Sequence, residues 1–159
     1  MASLLRTVEF LCLSLWLGSD VFLSFVVAPG AFQILPSRDQ AGAIVGHSLT
    51  RMHVIGIACG AVLLIARLLR TRVLSSLIAP AALCVILMLL LTVVSQYAVT
   101  PKMAVLRTQM SSIEATQPGS PLLAEFSRWH RVSVSLESGV LLAGIAAMYF
   151  LARDLAAPP

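Results

Sequence analysis

The stretch VLSSLIAPAALCVILMLLLTVVSQYAV, Val73–Val99, contains no charged side chain. About 20 consecutive apolar residues in a helix cross the ~30 Å hydrocarbon layer of a bilayer, so this run predicts a membrane span. Pro80 falls early in the run, where it sets either a kink or a delayed helix start. Upstream, Arg67, Arg70 and Arg72 form a short basic connection to another apolar stretch whose hydrophobic part is Met52–Leu69. That helix is predicted to begin after Pro36-Ser37-Arg38-Asp39-Gln40, with Ser37 as cap and Gln40 placed to complete a capping box. Its total length exceeds a span, so its first turns are expected outside the hydrocarbon or kinked near Gly42 or Gly46. Further upstream, an apolar run from Leu4 ends at Ala28 before the breaker pair Pro29-Gly30. Downstream of Thr100-Pro101 comes a polar stretch, in which Met103, Leu106 and Met110 recur at the spacing of one short amphipathic helix. Ser120 and Pro121 then open a fourth helix.

The expected architecture is therefore all-α: one integral membrane four-helix bundle over residues 1–159, up-down-up-down, with helices at about 4–28, 38–69, 73–99 and 121–152. Composition agrees. The chain is 58% hydrophobic and 11% charged, with mean hydropathy +0.93, against about 25% charged residues in soluble domains. The first apolar run resembles a signal peptide, but Glu9 and Asp20 interrupt it and it outlasts the usual h-region, so it is read as a retained helix. The net charge of +4 is spread over helix ends rather than gathered in a stripe. That excludes a nucleic-acid partner and leaves the lipid bilayer as the principal one. Arginines in the shortest loop put both termini in the cytoplasm, and the expected setting is a bacterial inner membrane.

Antiparallel threading of four spans brings distant polar residues to one half of the bundle. Asp20 and Ser24 come from the first helix, His47, Arg51 and His53 from the second. Ser95, Gln96 and Tyr97 come from the third, His130, Ser133 and Glu137 from the fourth. His130, Ser133 and Glu137 share one helix face, and Glu9, Trp16 and Asp20 share another. A lipid-facing carboxylate costs roughly 2.5–3.5 kcal/mol near the bilayer centre, so both stripes are expected to point inward. The candidate site is thus Asp20, His53, His130, Ser133 and Glu137, supported by Arg51, Gln96 and Arg131. In the functional reading, the two acids and two histidines bind or move a cation, a proton or a small ligand. In the structural reading, Arg51 and Arg131 neutralise the acids and the set merely holds the helices in register.

Other features carry less chemistry. His53 and His130 are the metal candidates, and the only pair at matching depth for a haem, but HxxxH and HExxH spacings are absent. No cofactor is required by the sequence. Cys12, Cys59 and Cys84 lie singly in apolar runs, as small core residues do, although a soft-metal path with Met88 is conceivable. Gly56-x-x-x-Gly60, Gly139 and Gly144 let helices approach closely, within the chain or in a homo-oligomer or membrane complex. Trp129, Tyr97 and Tyr149 suit the interface. No nucleophile elbow, P-loop or dinucleotide-binding glycine pattern is present, which leans away from an enzyme.

Trp16-Leu17-Gly18, Phe22, Phe25, Ala28-Pro29, Phe32, Pro36 and Ala41-Gly42, with Pro101 and Phe126-x-x-x-His130-x-x-Ser133, resemble the transmembrane-protein-205-like family, domain of unknown function 4149. The resemblance implies a four-helix membrane domain. The first-helix Trp-x-Gly pattern is distantly similar to copper resistance protein D-like membrane domains. This chain departs from those in having no histidine in its first helix and no methionine cluster. A structural or accessory membrane subunit and a haem-binding membrane enzyme remain the alternatives to an ion or ligand site.

Overall fold

A computed structural model describes residues 1–156. It is 89% helical, with no strand among the described residues. Four long helices cross back and forth: α1 Ala2–Ile34, α2 Arg38–Thr71, α3 Pro80–Met110 and α4 Pro121–Ala156. α2 has 34 residues, about 51 Å at 1.5 Å per residue, so it overshoots the ~30 Å hydrocarbon layer. The side chains turned outward along the middles of the helices are apolar, among them Leu11, Leu15, Leu87, Leu90, Leu142 and Ile145. That is the surface a bilayer solvates.

The helix ends follow the sequence in part. Ser37 caps α2, its hydroxyl accepting the backbone N–H groups of Asp39 at 3.1 Å and Gln40 at 3.4 Å. α2 closes on Arg72, which adopts the left-handed conformation at φ 56° and donates its N–H to the Leu68 carbonyl at 2.8 Å. Pro80 stands in the first turn of α3, where its missing N–H is harmless, so α3 starts there and not at Val73. A 3₁₀ turn, Leu74–Ile78, fills the gap.

Two expected breaks are absent. α1 runs through Pro29-Gly30 to Ile34, and α3 runs through Thr100-Pro101 to Met110. The predicted short amphipathic helix is therefore the continuation of α3. The physical reason is the same in both places. A single π turn, Leu23–Val27 in α1 and Ser95–Val99 in α3, ends two residues before the proline. A proline cannot donate to the carbonyl four residues back, and its ring clashes with it. Those carbonyls belong to Phe25 and Tyr97, each inside its π turn, where the wider ladder accommodates the defect.

α1 packs chiefly on α2, and α3 chiefly on α4. Leu13, Trp16, Leu63, Val85, Met88, Val140 and Ala147 form the core. Lipid solvates leucine as well as a protein interior does, so close packing rather than water exclusion holds such helices together. The tightest example is the Gly56-x-x-x-Gly60 notch of α2, which receives the Trp16 indole. The glycine motif thus serves contact within the chain. Beyond the apolar zone, the extension of α3 packs on the start of α2. Arg107 donates to the Gly42 carbonyl at 3.1 Å and lies over the Phe126 ring. Asp39 accepts from the Ser112 hydroxyl at 2.6 Å and the Ile113 N–H at 2.8 Å.

Candidate functional site

His53 sits at the centre of the polar half, fully buried, and joins three helices. Its Nδ1 lies 2.8 Å from Gln96 Oε1 on α3, and its Nε2 lies 2.8 Å from Glu137 Oε1 on α4. The Ser95 hydroxyl donates to the same Glu137 oxygen at 2.9 Å. Both imidazole nitrogens thus face oxygens. An imidazolium satisfies both as a donor. A neutral ring does so only if Gln96 turns its amide N–H₂ toward Nδ1, or if Glu137 carries the proton.

α1 supplies Asp20, which is 1% exposed. The Ser24 hydroxyl donates to its Oδ1 at 3.4 Å, and the carboxylate lies within Coulombic reach of Glu137 and His53. Its second oxygen, Oδ2, has no hydrogen-bond partner, and neither does Glu137 Oε2. The Thr92 hydroxyl and the Trp16 indole N–H are also buried without partners. Native proteins rarely leave such groups unpaired, so the free carboxylate oxygens of Asp20 and Glu137 are the part of this cluster that calls for an explanation.

Both π turns lie at this depth. Ser24 belongs to the first, Ser95 and Gln96 to the second. Neighbouring residues of a regular α-helix point about 100° apart. The π turn instead lets Ser95 and Gln96 both reach the His53–Glu137 pair. The Thr100 hydroxyl donates to the Ser95 carbonyl at 3.0 Å and supports the widened turn.

The structure therefore brings together Asp20, His53, Gln96 and Glu137 of the sequence-predicted set, and leaves the others apart. Ser133 is buried one turn before Glu137 but bonds to nothing among the described residues. His130 is exposed and lies parallel to the Phe126 ring, so it does not face His53. That separates the histidine pair on which the haem and metal readings relied. Among the described residues, no three His, Cys, Asp or Glu side chains converge as metal ligands. Arg51 and Arg131 are exposed, and neither forms an ion pair with the buried acids. Sequence reasoning placed Ser24 and Ser95 at the right depth without giving them a role, and it passed over Thr92. Its position four residues before Gln96 was the available signal.

It also underrated the opposite half. Glu9 is fully buried and receives two hydrogen bonds from Arg70, from Nε at 2.6 Å and Nη2 at 3.1 Å. Arg67 lies 3.8 Å from Glu9 and 3.1 Å from Asp154, and donates through Nε to the Ser76 carbonyl. Two acids meet two arginines there, and the charges cancel.

Four long apolar helices around a buried ionisable cluster define a polytopic membrane protein with a polar site among its helices, called the chamber below. The chain belongs to the family described as Domain of unknown function (DUF4149), whose model matches residues 11–112. The match spans α1 to α3 and includes Asp20, His53 and Gln96; Glu137 lies beyond it. No curated protein and no solved structure matches the chain.

Proposed function

We propose that the chamber binds one proton or one small monovalent cation and that the protein handles that cation in the membrane. The supporting observation is a charge imbalance. Two carboxylates, the buried Asp20 and the partly buried Glu137, each keep an unpartnered oxygen, and His53 supplies at most one positive charge. Among the described residues, no arginine or lysine pairs with either acid to balance the second. An uncompensated buried charge costs several kcal/mol, so the resting chamber takes up one more positive charge. The Glu9 cluster shows what this chain does when it needs only a structural ion pair: it matches acids with arginines.

The test is infrared spectroscopy of the purified protein in lipid, with and without Na⁺ and K⁺, reading the protonated carboxyl C=O band. Asp20→Asn and Glu137→Gln assign it. A proton site gives a band that resists added cation and vanishes in one variant. A cation site gives a band that disappears on binding. If neither variant nor cation alters the carboxyl region while both variants fold, the chamber only packs helices. We propose further a bacterial inner membrane with both termini cytoplasmic, a reading supported by Arg67, Arg70 and Arg72 in the short connection. Trp16-Leu17-Gly18 and Ala28-Pro29 support a place near the transmembrane-protein-205-like branch of the family.

A further inference from the structure

We infer that the seam between α1 and α4 holds an anionic phospholipid, headgroup outward. A groove of about 720 Å³ opens there, beside the Glu9 cluster and away from the polar chamber. It is lined by Ser3, Arg6, Thr7 and Phe10 of α1, Arg70 of α2 and Leu155 of α4. Pockets for whole small molecules run from roughly 300 to 1,000 Å³, so this one accommodates a headgroup and the start of its acyl chains.

Three observations carry the assignment. First, the four α1 residues stand at i, i+3, i+4 and i+7, one stripe of one helix. Along it the chemistry changes from hydroxyl and guanidinium at the membrane surface to a phenyl ring one turn deeper. That gradient fits an amphiphile and fits neither a free anion nor a wholly apolar ligand. Second, donors remain free. Arg6 meets no carboxylate within ion-pair distance among the described residues. Arg70 gives Nε and Nη2 to Glu9 and keeps Nη1. A guanidinium matches a phosphodiester through paired N–H donors. Third, no acid lines the groove, and Arg67, Arg70, Arg72, Arg153 and Arg6 outnumber Glu9 and Asp154 on this face. A choline or ethanolamine cation would find no partner, so a headgroup with net negative charge is selected. The location agrees with the fold: α1 and α4 pack on each other less extensively than on their principal partners.

Native mass spectrometry of the full chain in detergent tests the site, using phosphatidylglycerol, phosphatidylcholine and acyl-free glycerol phosphate as probes. Phosphatidylglycerol should bind at least about tenfold tighter than phosphatidylcholine, and glycerol phosphate should not be retained. Arg6→Gln, at an exposed position that the fold does not need, should weaken phosphatidylglycerol about tenfold. Arg72→Gln, on the same face but outside the groove, should leave it within about twofold. Equal binding of the two lipids would overturn the proposal. So would equal losses in the two variants, which would mean a diffuse surface field. Retention of glycerol phosphate with Arg6-dependent affinity would mean a free-anion site instead.

Discussion

Gly56→Ala should be the most damaging single methyl addition in the bundle. A Cβ built at Gly56 falls 2.6 Å from Trp16 Cε2 and 2.9 Å from Cδ1, and closer still to Nε1. Carbon atoms pack best at about 3.5–4.0 Å, so the indole must move by roughly 1 Å. It has nowhere to go. Trp16 is 1% exposed, and its far edge, Cζ3, already lies 2.7 Å from where a Cβ on Gly60 would sit. The strain must therefore part α1 from α2. Overpacking a filled core costs about 1–3 kcal/mol, and a rigid bicyclic ring held at both edges belongs at the upper end. In water the extra helix propensity of alanine would return up to about 1 kcal/mol. In lipid the separated helices are already helical, so that return is small. The net loss should be about 2–3 kcal/mol, which on the soluble-domain scale for 150–250 residues lowers Tm by roughly 4–12 °C. The assay is thermal unfolding in a fixed detergent, with Gly18→Ala as the reference. Nothing lies within 4 Å of a Cβ at Gly18, so that variant should match wild type. Trp16→Phe in the Gly56→Ala background removes the pyrrole edge and should make the two changes non-additive by at least about 1 kcal/mol. Equal melting of Gly56→Ala and Gly18→Ala, or strict additivity with Trp16→Phe, would refute the notch.

Arg70→Met should cost about 3–5 kcal/mol by stranding buried Glu9, and Glu9→Gln added to it should recover most of that loss in the same melting assay. Arg131→Gln, by contrast, should shift Tm by less than about 0.5 kcal/mol equivalent, because its side chain is exposed and pairs with no buried acid. Glu137→Gln keeps the size of the side chain and its acceptor toward His53. It should leave Tm within about 1 kcal/mol equivalent of wild type, while abolishing cation-dependent or proton-dependent change in the infrared carboxyl region.

The spans were legible because hydropathy over a helix length is a sum that no single residue overturns. The ends were less so. Pro29-Gly30 and Thr100-Pro101 read as stops, since a proline's clash is local and visible. The π turn that absorbs it has no residue signature: Leu23–Val27 and Ser95–Val99 share little beyond the proline that follows each. The depth of Asp20, His53, Gln96 and Glu137 was legible too, because antiparallel crossing and residue counting fix depth. Which residues face inward was not. His130 and Glu137 share a face at ideal spacing, yet one is exposed and the other lies in the chamber. Their separation along the axis, about 10 Å, carries His130 beyond the zone where neighbouring helices enclose that face. Arg51 and Arg131 are exposed as well, since long basic side chains toward the edge of the apolar zone turn outward to water.

The inward stripe of α1 ties these features together. Glu9, Leu13, Trp16 and Asp20 are its buried residues, so one line carries an acid at each end and an indole wedge between them. Glu9 is neutralised by arginines and closes its half of the bundle, whereas Asp20 is left without a basic partner. Trp16 fills the space between the two, locked into α2 by Gly56 and Gly60. A cation reaching Asp20 from the Glu9 side would have to displace both the arginine clamp and the indole. On the other side of Trp16 lie the hydroxyls, amide and imidazole of the polar cluster. On the proposed reading, the cluster would exchange its cation with the face of the membrane opposite Glu9. Release to the opposite face requires α1 to separate from α2 at the notch where it is packed most tightly. Gly56→Ala and Gly60→Ala, by forcing that separation, should then speed exchange across the Glu9 side as they lower stability. If proton or cation leak in proteoliposomes stays at the wild-type level in both variants while their melting falls, Trp16 is a packing residue and not the barrier.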